Sequence, residues 1–132
     1  MIRLIHPLGA LAASAALLAP PAFAQAAPAA DDAAAMRTLF ANTLEIDLPA
    51  VPWSTKRYFA PDHTYRETGN DGDVRGTWLI EGDQVCVVPE KRLADRAPRY
   101  CSLGPGKAVG DKWSAADPVT GNLVLFNVAA GR

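Results

Sequence analysis

Residues 76–89 read GTWLIEGDQVCVVP, and their alternation decides the fold class. With Gly82-Asp83 as a two-residue turn, Glu81 faces Gln84, Ile80 faces Val85, Leu79 faces Cys86 and Trp78 faces Val87. Trp78, Ile80, Val85 and Val87 then share one face, whereas a slip of one residue would scatter them over both. The segment reads as an antiparallel hairpin with one apolar face. Its other face carries Thr77, Leu79, Cys86 and Val88, which calls for cover from a helix or from the segment tied to Cys86.

Working outward, KRYFAPDHTYRE (56–67) places aromatic residues on both sides of Pro61-Asp62-His63, a turn in which Pro sets φ and Asp accepts local hydrogen bonds. Ala60 opposite Thr64 puts Phe59 and Tyr65 on one face. TGNDGD (68–73) is the next breaker. Beyond the first hairpin, RYCSL (99–103) reads as a short strand, and two more are expected around VGDKW (109–113) and NLVLFNV (122–128). Upstream, Asp31 or Asp32 caps a short helix whose Met36, Leu39 and Phe40 form one stripe, and Asn42 ends it. The expected fold is α+β, one short N-terminal helix packed on a curved antiparallel sheet or small β-barrel of six to seven strands.

Residues 1–24 read as a signal peptide: Arg3, then the apolar LGALAASAALLA, then Ala22 and Ala24 around Phe23 as a small-x-small cleavage pattern. Residues 25–30 are a flexible Ala/Pro linker and 31–132 a single domain, the mature chain being about 108 residues long. The expected location is periplasmic or secreted, where a Cys86–Cys101 disulfide persists and closes a loop of about 15 residues. Without Arg3 the 13 basic residues fall by one against 14 acidic ones, a charge of about −2. That balance argues against a general nucleic-acid or membrane-surface binder, and no segment after residue 24 approaches the roughly 20 continuous apolar residues of a membrane helix, so neither nucleic acid nor stable membrane insertion is expected.

The motifs YFAPDHTY, GTWLIEGDQVCVV, YCSL and GDKW together resemble a group of small uncharacterised secreted proteobacterial β-rich proteins of the DUF995 type. The resemblance rests on Asn42-Thr43-Leu44, the turn Phe59 to Thr64, Gly76-Thr77-Trp78, the pair Cys86 and Cys101, and Gly110 to Trp113. The chain departs from that pattern at His63, where the group favours Gly. The resemblance implies an exported β-rich domain and no particular activity. The C-terminal half is also similar to small periplasmic barrels that inhibit proteases through an N-terminal segment.

Chemistry is sparse. His63 is the one histidine of the mature chain, in a turn without a nucleophile motif, and no metal-ligand spacing completes a site around Asp62-His63. Asp62, Glu67, Asp71, Asp73, Glu81 and Asp83 crowd the hairpins, but turn carboxylates lack the apolar pocket that raises a catalytic pKa. We therefore expect no enzyme activity, no cofactor and no metal. The stapled loop carries Lys91, Arg92, Arg96 and Arg99 against Glu90 and Asp95, with Leu93 and Tyr100 as apolar contacts. Arg and Tyr anchor interfaces well, so Arg92, Arg96, Arg99 and Tyr100 are the expected contacts to a protein or anionic envelope component. The alternatives are an enzyme inhibitor using its N-terminal segment, and a small-ligand carrier with a pocket lined by Trp78, Ile80, Val85 and Val87.

Overall fold

The computed structural model describes residues 30–91 and 97–132. Helix α1 (Ala30–Ala41) precedes β1 (Thr43–Leu48), β2 (Trp53–Phe59), β3 (Thr64–Gly69), β4 (Gly72–Glu81), β5 (Gln84–Pro89), β6 (Tyr100–Leu103), β7 (Lys112–Ala116) and β8 (Leu123–Ala129). All pairings are antiparallel, in the order β6-β5-β4-β3-β2-β1-β8-β7. The eight strands curl into a nearly closed barrel. At the seam the indole N–H of Trp113 on β7 donates to the Ser102 carbonyl on β6 (3.2 Å), in place of a backbone ladder.

Eight strands stand where six to seven were expected, because Thr43–Phe59 divides at the proline-flanked turn 49–52 into β1 and β2. The Gly82-Asp83 hairpin has the expected register, and so does the Phe59–Tyr65 pair. Cys86 and Cys101 are opposed on β5 and β6 and joined by the disulfide.

Alternation fills the barrel: Leu44, Ile46, Phe59, Tyr65, Trp78, Val85, Val87, Val124, Phe126 and Val128 are all buried. Gly76 makes room for one of them. A Cβ there would lie 2.6 Å from Cε1 of Tyr65 and collide with the Val88 carbonyl. The helix adds Met36 and Leu39 to the same interior. It enters where β1 begins, beside the ends of β2 and β8, and the Gly106 amide on the β6–β7 connection donates to Ala35 O (3.0 Å). The barrel thus has a helix-closed end and, where β2 and β4 begin, a mouth.

Two expectations change. The helix covers the inner face; on the outer face of the β4–β5 hairpin Thr77 is exposed, Leu79 and Val88 are half-buried, and Cys86 is buried with its disulfide to Cys101. Of the four residues expected to line a pocket, Trp78 and Val85 belong to the packed closed end, with Phe40 tilted against Trp78 at 5.8 Å and Phe59 edge-on at 6.4 Å, while Val87 borders a cavity at the mouth.

Candidate binding site

Because the strands alternate, the residues between the buried ones face outward. In register across β2, β3 and β4, Tyr58 opposes Arg66 and Arg66 opposes Arg75. Arg66 holds its guanidinium 5.4 Å from the Tyr58 ring centroid, and Arg132 approaches the same ring at 5.8 Å. Arg132 is fixed there by donating from Nη1 to Phe40 O (2.9 Å) and from Nη2 to Phe59 O (3.1 Å).

These side chains border an open hollow of about 550 Å³, whose remaining lining includes Thr64, Gly76 and Glu90. Glu90 is the single acidic side chain among the described lining residues. Arg66 and Arg75 are exposed, and among the described residues neither is in an ion pair. Two like charges directly opposed on a sheet cost stability. The hollow therefore concentrates unneutralised positive charge beside an aromatic ring, a combination suited to carboxylate recognition.

The residues expected from the stapled loop divide. Arg92 and Arg96 lie outside the described residues. Arg99 reaches back to Glu81 in an ion pair and approaches Cys86 Sγ at 3.5 Å, so its charge is balanced within the fold. Tyr100 stands opposite Val87, packs on the core and borders the mouth. The loop's root is nonetheless adjacent to the hollow, since Glu90 lines it and donates its amide to Arg75 O (2.9 Å). Of the segment 25–30 invoked for an inhibitor, residues 25–29 lie outside the described residues and Ala30 is the first residue of α1.

The crowded carboxylates have separate employment. Asp62 accepts from Thr64 Oγ1 (2.6 Å) and Thr64 N (3.1 Å), and these hydrogen bonds hold its carboxyl below the ordinary value. Glu67 is buried against Arg57, Asp71 accepts from the Trp53 indole (2.9 Å), Glu81 pairs with Arg99, and Asp73 and Asp83 sit exposed near turns. His63 stacks on Trp78 at 4.4 Å, with Nδ1 3.0 Å from Trp78 O. Its position is structural, at the closed end of the barrel.

Sequence reading missed Tyr58, Arg66, Arg75 and Arg132. The first three were within reach: Asn70-Asp71 is a two-residue turn between the paired Gly69 and Gly72, and applying the hairpin rule there opposes Arg66 to Arg75. Nothing local announces Arg132. Compared with models of protein families, with curated proteins and with solved structures, the chain matches none.

Proposed function

We propose that the protein is an exported, non-enzymatic binding module whose outer wall grips an acidic protein segment. The observation carrying this reading is the opposition of Arg66 and Arg75, unpaired by any described carboxylate, beside Tyr58. A fold that keeps two like charges face to face gives up stability, and an incoming carboxylate turns that cost into affinity. Charge-assisted, forked hydrogen bonds from arginine suit carboxylates well, and Tyr58 offers a stiff apolar surface to the chain carrying them. The hollow is local, about 550 Å³, which fits a short segment better than an extended polymer. The export signal and the disulfide support a location outside the cytoplasm.

The test is fluorescence-anisotropy titration of the mature protein with a labelled hexaglutamate peptide and, as control, hexalysine. We expect saturable binding of the acidic peptide, weakened at least roughly tenfold in an Arg66→Gln/Arg75→Gln variant and by raised salt. Equal affinity of variant and parent would contradict the reading.

A further inference from the structure

The outer hollow holds one charged group for which an acidic segment alone has no use. Gly76 on β4 opposes Pro89 on β5, and the next step of that register sets Arg75 beside Glu90, whose amide donates to Arg75 O (2.9 Å). Alternation turns the Glu90 side chain to the same outward face as Arg75, and it lines the hollow. Glu90 is exposed, and among the described residues it is in no ion pair, with Arg75 or with any other cation. Glu90, Arg75, Arg66 and Tyr58 therefore stand in one row across the sheet: a carboxylate, two guanidiniums and a ring. Neighbouring strands lie about 4.8 Å apart, so a single step separates the acidic end of the row from its basic part. A ligand carrying negative charge alone would gain from the arginines and lose against Glu90.

We infer that the hollow takes the free amino terminus of an acidic chain: the α-ammonium meets Glu90, and the side-chain carboxylate of the first residue meets Arg75 and Arg66. This rests on the outer wall being the acidic-segment site, and it fixes which part of the segment docks. Spacing selects a terminus over an internal lysine. In an extended segment successive side chains leave on opposite faces, so two that face the wall are about 7 Å apart along the chain. An α-ammonium and a carboxylate of one residue match the single step between Glu90 and Arg75 more closely. The terminus also brings its charge without the long stem of lysine, whose ordering costs rotamer freedom. Beyond its first residue the chain runs on toward the Tyr58 ring.

The experiment compares two hexaglutamate peptides, both labelled at the C-terminus, one with a free amine and one N-acetylated. Their binding to the mature protein is read by fluorescence anisotropy at about pH 6.5, where an α-amino group of ordinary pKa about 7.7–8.0 is protonated. Acetylation makes the peptide more acidic, so attraction to the arginines alone favours the acetylated form. The expected result is the reverse, the free-amine peptide binding at least about fivefold tighter. Glu90→Gln keeps the side-chain size and should erase that preference by weakening the free-amine peptide without weakening the acetylated one. Raising the pH through about 8 should shrink the parent's preference, because the amine loses its charge. Acetylated peptide binding as tightly as the free-amine form would overturn the inference and leave the acidic-segment reading standing. So would a preference that survives in a folded E90Q variant, and if the variant does not fold, the two peptides on the parent protein decide alone. Binding of neither peptide would overturn the inference and the acidic-segment reading together.

Discussion

Trp78 shows how single residues hold the closed end together. Its indole N–H donates to Ala60 O (2.8 Å), its backbone N–H to His63 O (2.8 Å), and its ring lies flat under the His63 imidazole. His63 takes φ 64°, the left-handed region, and is the one described residue other than glycine to do so. That conformation costs roughly 1–2 kcal/mol without glycine, and a stack and a hydrogen bond of about 1 kcal/mol each offset it. Glycine would adopt the same backbone angle without that cost. His63→Gly should therefore leave stability within about 1 kcal/mol of the parent, the relieved backbone balancing the lost contacts. His63→Ala keeps the backbone cost and loses the contacts, and should destabilise by roughly 1–2 kcal/mol. Urea denaturation of the two variants checks the order; Ala equal to or more stable than Gly would refute it.

Among the elements, strands β2, β3 and β4 divide the molecule's work between their faces. The inner face carries Phe59, Tyr65 and Trp78, the outer one Tyr58, Arg66 and Arg75. Period-two alternation and two-residue turns made the β4–β5 hairpin legible from residues alone, because a wrong register exposes four apolar side chains at once. The same rule reaches Arg66 and Arg75, but charged residues on an outer face carry no burial signal that draws attention to their register. The basic loop attracted that attention instead, and Arg99 turned out to spend its charge on Glu81. If the Arg66–Arg75 opposition is unfavourable in the free protein, Arg66→Gln should raise stability by about 0.2–1 kcal/mol while weakening acidic-peptide binding. Denaturant midpoints at low salt check the sign, and a loss of stability would argue that Arg66 serves the fold through Tyr58.

For the whole molecule, closure is the feature that local patterns do not contain. It brings β8 beside β1, sets Trp113 against Ser102 across the seam, and delivers Arg132 to a tyrosine far behind it in the chain. Strand β6, at one edge, has four residues and one hydrogen-bonded neighbour, so the Cys86–Cys101 bridge fastens the edge on which the seam depends. A Cys86→Ala/Cys101→Ala variant should lose about 3 kcal/mol, with seam amides near Ser102 exchanging faster than those of β3; uniform exchange across both would refute that role. Closure also makes the outer wall rigid enough to hold two arginines against their mutual repulsion, which is the central claim. Its most direct test follows the arginine side-chain N–H signals by NMR as hexaglutamate is added. The account predicts that Arg66 and Arg75 shift saturably together while the buried Arg57 stays still; shifts confined to other arginines, or none in these two, would contradict it.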